Sequence, residues 1–245
     1  MQADTGKTPD KTPVSGATPA PGRKSVSSKF IRREAARTAS DAAHAQIISQ
    51  RFSLLRTRIL REMRNRGWHK LAVVPLTREA GGTYVSIHLA LALARQQHTN
   101  VVLMDMDLGN PSLARELGIP GCDSVTDTLR KGRPLADLIC TIEELPNLAV
   151  LAPGQAEPEA AELLQDEQLA AALGQLGDIS TNTVVIMDGA ALLGEDAALA
   201  GIPLADALLL VADGRNGTSA DMAHADRLLV GMPPVMGVVL NKSED

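Results

Sequence analysis

Three carboxylates close apolar runs of this chain. VVLMDMDLGNPS carries Asp105 and Asp107, one residue apart, and TVVIMDGAA carries Asp188. Acids that gather at one edge of a sheet, beside a loop entering a helix, suit Mg²⁺, which takes a few carboxylates together with phosphate oxygens and water. Taken singly, each acid reads equally well as a helix cap or a turn residue; their recurrence at three like positions is what favours a site. ALLLVADGRNGTSADMAHADRLL reads as a strand, a glycine-containing turn and a helix capped by Thr218 or Ser219. VMGVVLNK ends on Asn241, whose amide is either an ordinary turn residue or a partner for a purine edge.

The stretch PLTREAGGTYVS, residues 75–86, lies between an apolar run and a long helical pattern. A nucleotide-binding protein of this layout would carry its phosphate loop there, with a lysine where this chain has Gly82. The only nearby cation is Arg78, which reads more simply as a solvent-facing loop residue.

The elements that must position these residues are short apolar runs alternating with helical patterns. LAVVPL (71–76), VVLMD (101–105), LAVLAP (148–153), TVVIMD (183–188), ALLLVAD (207–213) and VMGVVLN (235–241) are continuous rather than alternating, as strands buried on both faces are. Helices are expected near 83–97, 111–117, 124–131, 134–139, 159–176 and 217–230. This alternation predicts a doubly wound, mostly parallel α/β sheet with right-handed crossovers and its site at the carboxyl ends of the strands. Before it, residues 1–40 are rich in Pro, Ser, Thr, Gly and Lys and read as a disordered basic tail. Residues 41–67 place Ile47, Ile48, Phe52, Leu54, Leu55, Ile59, Leu60 and Met63 at helical spacing among arginines, an amphipathic helix leading into the domain at 68–245.

Aromatic residues make up only 2% of the chain, which disfavours base stacking and, with an acidic body, nucleic acid as a partner. Cys122 and Cys140 show no metal-like spacing and suit a reducing cytoplasm. No apolar run reaches the roughly 18–20 residues that span a bilayer. Residues 1–70 carry 15 Lys/Arg against 5 Asp/Glu, leaving the remainder at −15 for a total of −5. That asymmetry fits a merely solvated tail, or an anionic membrane surface or acidic partner at the basic end.

In order along the chain, QRFSLLRTRI, LAVVPLTREAGGTYVSIHLALALA, VVLMDMDLGNPSLARELG, LPNLAVLAPG, TVVIMDGAALL, DALLLVADGRNGTSADMAHADRLL and VMGVVLNK resemble the cytoplasmic domain of bacterial tyrosine kinases (BY-kinases) of capsule and exopolysaccharide synthesis, within the MinD/ParA-like P-loop ATPases. The resemblance spans roughly residues 48–242, and VVLMDMDLGNPSL, similar to the Walker A′ signature, is its strongest part. It implies ATP and Mg²⁺ as cofactors, Asp105 and Asp107 as catalytic Walker A′ acids with Asp107 at the metal, Asp188 as the Walker B metal acid, Thr83 as a metal and phosphate-loop ligand beside Gly81, and Asn241 at adenine. It also implies a membrane-embedded polysaccharide co-polymerase as partner, at the inner face of the cytoplasmic membrane, with self-association into a homo-oligomer as a further option.

Four departures from that pattern are visible. Glu79 and Gly82 stand where the loop has its first glycine and its lysine, and Asp188 is followed by Gly189, Ala190 and Ala191 rather than by prolines. No tyrosine-rich tail follows the last strand, and Tyr84 is the sole tyrosine. Of the family's Glu-x-x-Arg-x-x-Arg assembly motif, only Arg56 survives, beside Gln50 and Ser53. The resemblance therefore implies a kinase-like protein with phosphoryl transfer lost or weakened; an active tyrosine kinase and a MinD/ParA-like regulatory or positioning ATPase are the alternatives.

Overall fold

The computed structural model describes residues 24–40, 42–177 and 182–243. Two short elements open it, strand β1 (Lys24–Val26) and helix α1 (Lys29–Ser40). The expected disordered tail thus falls outside the described residues for 1–23 and is corrected for 24–40. Three apolar side chains in a polar stretch are the reason: Val26, Phe30 and Ile31 pack against the core. Ser28 then caps α1, accepting from the Ile31 N–H (3.3 Å) while its own hydroxyl donates to the Leu117 carbonyl (2.8 Å). Its backbone N–H, with the Ser27 hydroxyl, donates to the Glu144 carboxylate.

The chain continues as α2 (Ala42–Arg66), β2 (Lys70–Pro75), α3 (Gly82–Ala94), β3 (Asn100–Asp105), α4 (Leu113–Leu117), α5 (Val125–Arg130), β4 (Cys140–Ile142) and β5 (Leu145–Leu151). There follow α6 (Ala160–Leu164), α7 (Glu167–Gly177), β6 (Thr183–Asp188), α8 (Asp196–Gly201), β7 (Ala207–Asp213), α9 (Ser219–Leu228) and β8 (Val235–Asn241). The segment expected as one helix over 159–176 breaks because Asp166 starts a new one, its carboxylate accepting from the Gln168 N–H at 2.7 Å. Residues 134–139 form only a 3₁₀ turn, Leu135–Leu138.

The eight strands are ordered β1-β4-β5-β3-β6-β2-β7-β8. Among the described residues, only β4 and β5 pair antiparallel, and every other neighbouring pair is parallel. Alternate residues of each central strand enter two separate cores. Leu71, Val73, Leu103 and Ile186 face α2 and α3, while Ala72, Met104, Met187 and Leu210 face α5 through α9. The runs of β2, β3, β5, β6 and β7 are therefore buried on both faces, which is why they do not alternate in polarity; the same expectation fails for VMGVVLN, because β8 is an edge strand with Val235, Val238 and Leu240 exposed. Helix α3 is buried around most of its girth, with Leu89 and Leu93 fully inaccessible. Three of the four aromatic residues gather on His88 of this helix and knit it to α1 and α2: Tyr84 at 4.2 Å, Phe52 stacked at 5.1 Å and Phe30 edge-on at 5.7 Å.

Candidate functional site

Strand β2 ends on Pro75, and the chain crosses to α3 through a single 3₁₀ turn, Arg78–Ala80. Gly81 then takes a left-handed conformation, φ +82°, that L side chains rarely adopt, and so admits the chain to the helix. The end of β8 supports this loop. The Asn241 amide donates to the Ala80 carbonyl (2.8 Å) and Lys242 Nζ donates to the Glu79 carbonyl. Lys242 is also 3.6 Å from Asp213, whose carboxylate accepts from the Arg215 and Asn216 N–H groups; these bonds hold its pKa down at about 2. Asn241 thus sits beside the loop, with its amide committed to the loop backbone. Asn241→Ala would leave the Ala80 carbonyl without this donor, an expected loss of about 1–3 kcal/mol in chemical denaturation, with faster amide exchange over residues 78–82.

Both loop glycines are hemmed in. A Cβ on Gly81 would lie 2.5 Å from Asn241 Nδ2, and one on Gly82 would lie 2.8 Å from both Cδ and Cγ of Pro75. The pyrrolidine ring cannot swing away as a long side chain can. Pro75 therefore fills the space through which a lysine at position 82 would leave the backbone.

Two of the three acids end strands, and Asp107 lies two residues beyond the end of β3. Asp105 and Asp188 are register partners on adjacent strands, and both are buried. Asp105 is turned onto its own loop: Oδ2 accepts from the Ser112 and Leu113 N–H groups (2.9 Å each) and Oδ1 from Asp107 N–H (3.2 Å). Burial nevertheless pushes its pKa up to about 6, against those bonds. Asp188 accepts from the Ser86 hydroxyl (2.8 Å); burial, aided by the neighbouring Asp105 charge, pushes it to about 8. Asp107 is raised to about 6 by burial and by Glu195, with Arg78 opposing. Arg78 is exposed, as expected, and its guanidinium also pairs with Glu195 at 2.9 Å. One oxygen each of Asp107 and Glu195 is buried without a hydrogen-bond partner.

Thr83, Asp107, Gly81, Gly82 and Pro75 share a cavity of about 350 Å³, with the Thr83 hydroxyl 3.3 Å from that of Ser112. For a divalent cation this wall offers the spare Asp107 oxygen and the Thr83 hydroxyl, with Asp188 behind them; Asp105 has spent its oxygens on backbone donors. Among the described residues, no three His, Cys, Asp or Glu side chains form a metal cluster. For a triphosphate the fit is poor. The lysine is missing, its path is closed, and the loop's one arginine is held by a carboxylate.

Sequence reasoning missed Ser86, Glu195, Pro75 and Lys242. Ser86 was findable, being three residues beyond Thr83 on the same helical face. Glu195 follows LLG outside any periodic segment and carries no local signal.

No family model and no curated protein matches the chain. Solved structures do. The VpsO kinase domain is similar at 24% identity and TM-score 0.68, over 80% of this chain and 96% of that one. The BceF tyrosine kinase domain is similar at 19% identity and TM-score 0.67, over 89% and 91%. The septum site-determining protein MinD of Pyrococcus horikoshii OT3, complexed with Mg-ADP, follows at 20% identity and TM-score 0.58, over 72% of each chain. The chain has the P-loop NTPase-like fold that these tyrosine kinase domains and MinD share, as its sequence resemblance implies.

Proposed function

We propose that this chain is a kinase-like protein of exopolysaccharide or capsule export in which ATP-dependent tyrosine phosphorylation is lost or weakened. It acts by engaging a membrane-embedded polysaccharide co-polymerase at the inner face of the cytoplasmic membrane. The observation that carries this reading is Gly82 beneath the Pro75 ring. In phosphoryl transfer, a lysine at this point bridges the β- and γ-phosphates and offsets charge developing in the transition state, commonly worth several kcal/mol. A glycine supplies none of that, and Glu79 adds negative charge to the loop. The sole tyrosine, Tyr84, lies against His88 on α3. Arg56, the remaining residue of the assembly motif, donates to the Ala92 carbonyl of its own chain (3.3 Å).

The expected result with Mg·[γ-³²P]ATP is no hydrolysis above background and no phosphotyrosine, in wild type and Asp105→Ala alike. Robust turnover that Asp105→Ala abolishes would overturn the reading. The likeness to MinD supports a second one, a positioning ATPase of another system. Neighbouring genes separate the two: glycosyltransferases and a two-span chain-length protein support export, and their absence counts against it.

A further inference from the structure

Helix α2 turns its two sides to different surroundings. Ile59, Leu60 and Met63 are buried against the core. On the opposite side, at about 100° per residue, Ile47, Leu54, Arg58 and Arg61 fall into one stripe. Ile47 is 50% exposed and Leu54 65% exposed, the two protruding from a helix whose outer surface is otherwise polar. Arg58 and Arg61, with Arg64 flanking them, are exposed and make no ion pair among the described residues. The helix's one acid, Glu62, is taken by Arg66 at 3.0 Å. Helix α1 also exposes Lys29, Arg32 and Arg33, of which Arg32 lies 3.7 Å from Glu144.

We infer that this stripe is the surface by which the protein lies on an anionic lipid bilayer. Three features choose lipid over a protein groove. The stripe is the outer side of one helix, its two apolar side chains are followed along it by the cations Arg58 and Arg61, and no acid in it opposes an anionic surface. Charge supplies the orientation. Residues 71–245 carry −15, so an anionic membrane repels the body and attracts only the helical layer. The inference deepens the membrane-proximal part of the reading above and rests on it for its biological setting. Physically it needs neither a nucleotide nor a partner protein.

The test is co-sedimentation of the full chain with vesicles of phosphatidylcholine containing about 30 mol % phosphatidylglycerol. Wild type is expected to bind these vesicles, to ignore phosphatidylcholine alone, and to be released by about 0.5 M NaCl. Arg58→Glu/Arg61→Glu is expected to cut binding at least tenfold and Leu54→Ser several-fold, both with an unchanged melting temperature because these side chains are exposed. Failure of wild type to bind, equal binding to neutral vesicles, or full binding by Arg58→Glu/Arg61→Glu would overturn the inference. So would salt-sensitive self-association without vesicle binding, which would put the acidic body of a second copy on the stripe. These outcomes leave the phosphate-loop reading untouched, just as ATP turnover would leave the stripe untouched.

Discussion

Gly82→Lys alone is expected to lower stability and to create no ATP site. Restoring the lysine that a phosphate loop needs is the obvious repair, and on sequence grounds it should move the protein toward nucleotide. The structure changes that expectation, because the new Cβ would lie 2.8 Å from two atoms of the Pro75 ring. Relief requires the end of β2 to move, yet Pro75 is in register with Val211 and its carbonyl accepts from the Leu192 N–H at 2.9 Å. Overpacking of this kind costs about 1–3 kcal/mol, a fall of about 2–12 °C for a domain of this size. Pro75→Ala/Gly82→Lys should regain most of that loss, so the double-mutant cycle gives a coupling energy of about 1 kcal/mol or more. Additive effects, or a stable Gly82→Lys single variant that binds Mg·ATP, would show that Pro75 does not close the position.

Asp188→Asn should stabilise the protein, and more at pH 8 than at pH 5. Asp188, Asp105 and Asp107 all have folded-state pKa values above the ordinary 3.8, at about 8, 6 and 6, with burial the largest cause in each. Between the unfolded and folded pKa the native state holds protons that the unfolded state has released, so stability falls as pH rises. For Asp188 that window runs from about 4 to 8; for the other two it closes near 6. Asp213, depressed to about 2, acts oppositely and only below pH 4. An amide at 188 keeps an oxygen for the Ser86 hydroxyl and removes the buried charge. One pKa unit corresponds to about 1.4 kcal/mol, so the gain at pH 8 amounts to a few kcal/mol once local relaxation is allowed for. Melting curves at several pH values measure it. A variant less stable than wild type at pH 8 would mean that the ionised Asp188 carboxylate is compensated in the native state.

The strands that build the site were legible because a parallel sheet with helices on both faces demands continuous apolar runs. All six such runs became central or β8 strands, and Asp105 and Asp188 meet in register because their runs end alike. Three-residue β1 and β4 are too short for any period to register. Phe30 and Ile31 were hidden in a polar segment whose order depends on a distant acceptor at Glu144. In the site itself, residue types were readable but their commitments were not. Nothing local says that the Asn241 amide goes to Ala80, that Arg78 turns to Glu195, or that Pro75 and Gly82 share one space. Those are contacts between elements far apart in the chain, and only the folded sheet brings them together.

This phosphate loop is expected not to engage nucleotide phosphates. Isothermal titration calorimetry of the full chain with Mg·ADP and Mg·ATP tests it most directly. No saturable heat is expected at micromolar to sub-millimolar nucleotide; saturable binding of Mg·ATP in that range, weakened by Thr83→Ala or Asp107→Ala, would contradict the loss of phosphate engagement.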